Sequence, residues 1–145
     1  MNRTGILACV CTFAIAALLP GTARADAEST AGRCVAEIQN TVDRSGAFVA
    51  DQTAETVVLI NRLLNIGRVE AAIAAARECV QQTRQDMRLA SDYINGVANE
   101  CIRKLVRMDE FQLARRVDYA RNAAFDELAS FLDRQERALS DALGN

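Results

Sequence analysis

Beyond Pro20 the chain contains no proline, and its apolar residues recur at steps of three and four positions. This spacing indicates long amphipathic helices, because residues three and four apart share one helical face. It predicts a first helix that ends at Gly67, since glycine readily adopts the left-handed conformation common at helix C-termini. The apolar seam of that helix is predicted to contain Val35, Ile38, Val42, Ser45, Val49, Gln52, Thr56, Leu59, Leu63 and Ile66.

Two further runs with the same spacing predict two further helices. The second helix is expected to continue through Asn95-Gly96, because the spacing is unbroken there, and to reach Met108. Asp109, with Gln112 three residues later, is predicted to cap the N-terminus of the third helix. The second seam comprises Val69, Ile73, Ala76, Val80, Thr83, Met87, Ala90, Ile94, Val97 and Cys101. The third comprises Leu113, Val117, Ala120, Ala124, Leu128, Phe131, Gln135, Leu139 and Ala142.

These helices predict an all-α fold, an elongated antiparallel three-helix bundle of coiled-coil-like character. The connections near Gly67 and Asp109 are too short for anything but antiparallel neighbours. A break at Gly46 would divide the first helix and give four helices instead, and this alternative remains open from the sequence.

Residues 67–73 resemble the second helix of a tetratricopeptide repeat, and residues 109–114 echo them 42 positions later. The usual repeat unit is about 34 residues long and carries large aromatic residues and a closing proline. Because the spacing differs and those residues are missing, we predict a single bundle in preference to a repeat array.

Residues 1–25 have the composition of a cleavable secretory signal peptide. Arg3 gives a positive start, a 14-residue apolar run extends from Ile6 to Leu19, and Ala25 offers a small residue for cleavage before Asp26. The run is shorter than the roughly 20 residues that a membrane-spanning helix needs. We therefore predict a periplasmic or secreted mature chain, residues 26–145, with no transmembrane segment.

Composition disfavours several classes of function. Without Arg3 and Arg24, the mature chain has 15 basic and 19 acidic residues, so its net charge is −4. Nucleic-acid binding proteins usually carry a basic excess, so we expect no nucleic-acid partner. The chain has no histidine, and most haem sites, His-based zinc sites and Ser-His or Cys-His catalytic pairs require one. We predict no catalytic residues, no metal site and no cofactor.

Three cysteines remain after removal of Cys9 and Cys11 with the signal peptide. If the first two helices fold back around Gly67, facing residues have numbers that add to about 135. Cys34 and Cys101 satisfy this condition, so we predict a disulfide between them, as expected in an oxidising compartment. Cys79 is left as a free thiol, through which the chain could form a homodimer. Alternatively, all three cysteines are small core residues.

The same arithmetic predicts a polar layer at mid-bundle. Gln52 faces Thr83, and Thr83 faces the neighbourhood of Gln135, with Thr56 and Cys79 one turn away. The layer has two interpretations: it fixes the helix alignment, as buried polar residues do in coiled coils, or it forms a small cavity for a ligand or water. Replacing Gln52 and Gln135 by leucine should raise the melting temperature if the layer fixes the alignment. Loss of a co-purifying ligand would favour the cavity.

Basic residues gather around the second connection: Arg103, Lys104, Arg107, Arg115, Arg116 and Arg121. Such a cluster could bind an acidic partner or anionic headgroups. The alternative is that these arginines are solvated and pair along the helices, as Asp118 would with Arg121 or Arg115.

The sequence thus favours a non-enzymatic exported protein that mediates protein–protein interaction in the periplasm, as an adaptor, spacer or chaperone-like subunit. The competing prediction is a small-ligand-binding bundle that uses the central polar layer.

Overall fold

A computed structural model describes residues 20–144 of the chain. It contains three α-helices: α1, Pro20–Asn65; α2, Val69–Arg107; and α3, Phe111–Leu143. The helices contain 46, 39 and 33 residues, which corresponds to roughly 50 to 70 Å each at 1.5 Å per residue. Each helix packs against the other two. The predicted all-α three-helix bundle is therefore confirmed.

Most of the predicted signal peptide, residues 1–19, lies outside the described residues, as do Cys9 and Cys11. Residues 21–26 are helical and exposed, and Ala27 is the first buried position of α1. Within residues 20–144, no helix has an apolar stretch long enough to cross a membrane.

The first connection confirms the role predicted for Gly67. Its φ angle is +74°, in the left-handed region where glycine avoids steric strain. The backbone N–H of Gly67 donates to the Leu64 carbonyl at 2.9 Å, and that of Arg68 donates to the Leu63 carbonyl at 2.8 Å. These bonds satisfy the last carbonyls of α1 and turn the chain directly into α2.

The second connection corrects the predicted cap. Asp109 has a φ angle of +58° and ends α2, because its backbone N–H donates to the Val106 carbonyl at 3.1 Å. Glu110 occupies the N-cap position of α3 and makes no side-chain capping bond. The capping pair of Asp109 and Gln112 is therefore wrong, since the tight turn places Asp109 in the left-handed conformation that follows a helix.

Helix α1 runs without interruption through Gly46, so the four-helix alternative is wrong. The reason for a glycine here is close packing, because a Cβ at position 46 would lie 2.5 Å from Cζ of Phe131 in α3. Helix α2 likewise continues through Gly96, where a Cβ would meet nothing within 4 Å.

The core consists of two apolar clusters: a larger one that includes Ile38, Ile94 and Val117, and a smaller one near Gly67 that includes Ile60 and Leu139. The predicted seams of α2 and α3 hold at most positions, but Val69 is 53% exposed and Leu105 is completely buried. In α1 the predicted seam holds in part beyond Val49, since Gln52 bonds to Thr83 and Leu63 packs against the smaller cluster. Ile60, outside the predicted seam, is completely buried, whereas the predicted seam residues Leu59 and Ile66 are 45% and 68% exposed.

A disulfide joins Cys34 of α1 to Cys101 of α2, as predicted, with their Cα atoms 6.5 Å apart. The two cysteines are 67 residues apart in the sequence and lie near the end of the α1–α2 hairpin opposite Gly67. The bond therefore closes α1 and α2 into a covalent loop that contains the whole first connection.

Candidate functional site

The polar layer at mid-bundle forms two hydrogen-bonded groups. In the first, Thr83 Oγ1 donates to Gln52 Oε1 at 3.1 Å. Thr83 is completely buried, whereas Gln52 is partly exposed. This bond joins α1 to α2 in the alignment that the disulfide also requires, since both pairs of residue numbers add to 135.

The second group is centred on Gln135 of α3, which is only 2% exposed. Its Nε2 donates to Thr53 Oγ1 at 3.1 Å and to Cys79 Sγ at 3.4 Å. The Thr53 hydroxyl donates to the Val49 carbonyl at 2.6 Å, so it can only accept from the amide. This arrangement fixes which end of the Gln135 amide faces Thr53. Its Oε1 is buried, and residues 20–144 offer it no hydrogen-bond partner.

The structure thus brings together Gln52 with Thr83, and Gln135 with Cys79, but it replaces one predicted member of the layer. Thr53 contacts Gln135, and no hydrogen bond within the described residues joins Thr56 to this cluster. Sequence reasoning missed Thr53 because the predicted seam passed through positions 52 and 56. A four-residue step from Val49 to Thr53 was the signal that could have found it.

Two grooves flank the layer. The groove between α1 and α3 has a volume of about 360 Å³ and reaches the Gln135 side chain. Its walls are mostly small or apolar side chains: Gly46, Val49, Ala50, Ala54, Phe131 and Ala138. The groove between α2 and α3 has a volume of about 690 Å³. Arg84 and Glu136 both line it and form an exposed ion pair at 2.7 Å.

Cys79 is the free cysteine among the described residues, as predicted. It is only 8% exposed, so its thiol is not presented at the surface to a second copy of the chain. A disulfide between two copies through Cys79 would require the bundle to open locally, and self-association of the chain stays a prediction.

The predicted basic cluster divides between two neighbouring helices. Arg116 turns toward α1, where it lies 3.9 Å from Glu28. Arg121 turns toward α2, donates to Asn99 at 3.1 Å, and pairs with Asp118 as the sequence predicted. The remaining four basic residues are exposed around the second connection: Arg103, Lys104, Arg107 and Arg115.

Large apolar side chains accompany these cations. Val106 is 41% exposed and Phe111 is 56% exposed, and both line a groove of about 490 Å³ between α2 and α3. Tyr119, two turns beyond Phe111 on α3, is 78% exposed. Arg121 lines the same groove, and its Nε is buried with no hydrogen-bond partner in the described part of the chain. We call this region the corner surface: Arg103, Val106, Arg107, Phe111, Arg115 and Tyr119.

On the face formed by α1 and α2, the Tyr93 hydroxyl donates to Glu37 Oε1 at 2.9 Å. This hydrogen bond raises the pKa of Tyr93 above its ordinary value of 10.0, and the negative charge of Glu37 adds to the effect. The bond lies at the surface and links the two helices that the disulfide also joins.

Within residues 20–144, no group of three or more cysteine, aspartate or glutamate side chains is arranged to hold a metal ion. The chain matches no model of a known protein family, no curated protein and no solved structure.

Proposed function

We propose that this chain is an exported, non-enzymatic interaction protein whose corner surface binds an acidic, apolar segment of a protein partner. The observation that carries the proposal is the exposure of Val106 and Phe111 on one groove that Arg115 also lines, with Arg103 and Arg107 exposed on α2. Exposed aromatic side chains with neighbouring arginines are the residue types that contribute most binding energy in protein interfaces.

The charge of the corner surface favours an acidic partner. Arg103 and Arg107 lie one turn apart on α2, and Arg115 follows Phe111 by one turn on α3. A carboxylate between them would gain charge-assisted hydrogen bonds, while an apolar side chain of the same segment would pack on Val106 and Phe111.

Export is supported by the sequence of residues 1–25 and by the disulfide between Cys34 and Cys101. Disulfides persist in oxidising compartments such as the periplasm and are rare in the cytosol. Residues 21–26 are exposed, so cleavage after Ala25 removes no buried side chain from this stretch. Mass spectrometry of protein from the native periplasm is expected to find a chain that begins at Asp26. An intact N-terminus or a reduced cytosolic protein would contradict export.

Photocrosslinking in the native host tests the binding surface. A benzoylphenylalanine at position 111 is expected to give a discrete adduct with another protein, and the matched control is the same group at Leu59, an exposed position of α1. Mass spectrometry of the adduct should identify a partner segment rich in aspartate or glutamate and apolar residues.

Charge reversal then tests the role of the arginines. We expect Arg103→Glu with Arg107→Glu to reduce the adduct several-fold, because the reversed charges repel an acidic segment. Arg62→Glu with Arg68→Glu, two exposed positions near the first connection, should leave it unchanged. Equal crosslinking at positions 111 and 59, a basic partner segment, or insensitivity to charge reversal would overturn the proposal.

A further inference from the structure

We infer that the groove between α1 and α3 is a binding site for a small, flat, anionic amphiphile that donates a hydrogen bond to Gln135 Oε1. This site is separate from the corner surface, because α1 and α3 form the groove whereas the corner surface belongs to α2 and α3.

The first argument is the unpartnered acceptor. Gln135 is 2% exposed, and its Oε1 has no hydrogen-bond partner although its Nε2 has two. Folded proteins leave very few buried polar atoms unpaired, and each such atom calls for an explanation. Rotating the amide gives no relief, since Thr53 donates its own hydrogen to Val49 and needs the N–H of Gln135. The group that completes this site must therefore be a donor.

The second argument is the shape of the groove. Its volume of about 360 Å³ lies within the range of roughly 300 to 1,000 Å³ that small-molecule sites occupy. A single water takes about 30 Å³, so the groove can hold a ligand of many atoms. The small side chains of Ala50, Ala54 and Ala138 line it, so a flat apolar body can lie along the groove in contact with them.

The third argument is the charge at the edge of the groove. The exposed guanidinium of Arg134 lies over the ring of Phe131, 4.9 Å from its centroid, and both side chains line the groove. An arginine held over an aromatic ring presents its planar N–H groups to a carboxylate. The ligand is therefore expected to carry its anionic group at this edge and its donor toward Gln135.

The ligand must widen the groove to reach Oε1, because that atom is covered by its neighbours. Phe131 is the movable wall. Its ring is partly exposed and lines the groove, so it would have to shift outward, away from its close contact with Gly46.

Indole-3-propionate is a suitable probe, since it combines a flat apolar body, one N–H donor and a carboxylate. The chain contains no tryptophan, so indole fluorescence reports the probe alone. We expect saturable binding of one probe per chain, measured by anisotropy of the indole emission. 1-Methylindole-3-propionate, which lacks the donor, should bind roughly five- to tenfold more weakly, the factor that one neutral hydrogen bond supplies.

Variants assign the binding to this groove. Gln135→Leu should weaken binding by about the same factor as probe methylation without lowering the melting temperature, so that loss of binding cannot be attributed to loss of fold. Arg134→Gln should also weaken binding, whereas Arg137→Gln, an exposed neighbour on α3, should not. Absence of saturable binding, equal affinity for the methylated probe, or unchanged affinity in Gln135→Leu would overturn the inference and leave water as the partner of Gln135.

Discussion

The ring of Phe131 in α3 packs against the bare Cα of Gly46 in α1, and a Cβ at position 46 would come within 2.5 Å of its Cζ. This contact explains why a residue with poor helix propensity lies inside a long helix. It also sets the distance between α1 and α3 beside the groove that reaches Gln135.

Replacement of the two mid-helix glycines should therefore have opposite effects. Gly46→Ala is expected to lower the free energy of unfolding by about 1 kcal/mol, because overpacking against Phe131 outweighs the gain in helix propensity. Gly96→Ala should raise it by about 0.5 to 1 kcal/mol, since its Cβ meets no neighbouring atom. Urea unfolding of both variants measures the two changes. A stabilised Gly46→Ala would mean that Phe131 moves aside at no cost.

Loss of the disulfide should destabilise the bundle strongly. Opening the 67-residue loop between Cys34 and Cys101 is expected to lower the free energy of unfolding by up to about 4 kcal/mol, because the unfolded chain regains entropy. Urea unfolding of the variant with serine at both positions 34 and 101 measures this effect. The wild-type protein under reducing conditions should lose a similar amount of stability. Non-reducing peptide mapping should find only this link, and a link from Cys79 to either cysteine would refute the helix alignment.

Gln135→Leu is expected to raise the free energy of unfolding by about 1 to 2 kcal/mol. The substitution removes a buried acceptor that has no partner, and leucine fills most of the same volume. Thr53 keeps its bond to the Val49 carbonyl, so no donor is left unpaired by the change. Thermal and urea unfolding measure the shift, with Gln81→Leu at an exposed position of α2 as the control. If Gln135→Leu instead destabilised the protein as much as a large-to-small core substitution, Gln135 Oε1 would have to accept a hydrogen bond in solution.

The bond between Tyr93 and Glu37 predicts an alkaline transition. Since the bond raises the pKa of Tyr93, its stabilising contribution is complete below about pH 10 and is lost as pH rises through the raised pKa. The chain has only two tyrosines, so absorbance at alkaline pH resolves their ionisation. Glu37→Ala should move one of the two transitions to lower pH, whereas Glu55→Ala at another exposed position of α1 should not. Identical curves for wild type and Glu37→Ala would rule out the bond in solution.

The sequence was sufficient to predict the number of helices and the pairing of Cys34 with Cys101. Both follow from the spacing of apolar residues and from the short turn at Gly67, which ties residue numbers on α1 to those on α2. The pairing of Gln52 with Thr83 follows from the same relation. These predictions succeeded because they depend on the average period of long helices and tolerate small local errors.

The sequence did not predict which residues are buried in the second half of α1. A strict heptad repeat drifts by about 20° per heptad relative to a straight helix, so the predicted seam diverges from the buried residues beyond Gln52, where Leu59 and Ile66 are exposed. The buried stripe continues instead through Thr53, partly buried, and Ile60, completely buried. Only the packed structure reveals that Thr53, and not Thr56, accompanies Gln135. The left-handed conformation of Asp109 accompanies local backbone bonds, from Asp109 N–H to the Val106 carbonyl and from Glu110 N–H to the Leu105 carbonyl.

The covalent loop between Cys34 and Cys101 gives the bundle an unequal response to mechanical force. A pull on residue 26 and residue 144 would load α3, because within residues 20–144 noncovalent packing and the three-residue turn after Arg107 attach it to the other helices. The hairpin of α1 and α2 would bear the load through its sulfur bridge and could not extend between the two cysteines. Under tension the molecule would therefore lengthen by releasing its ends, while the segment between the bridged cysteines, with the Gln52–Thr83 bond inside it, stayed folded.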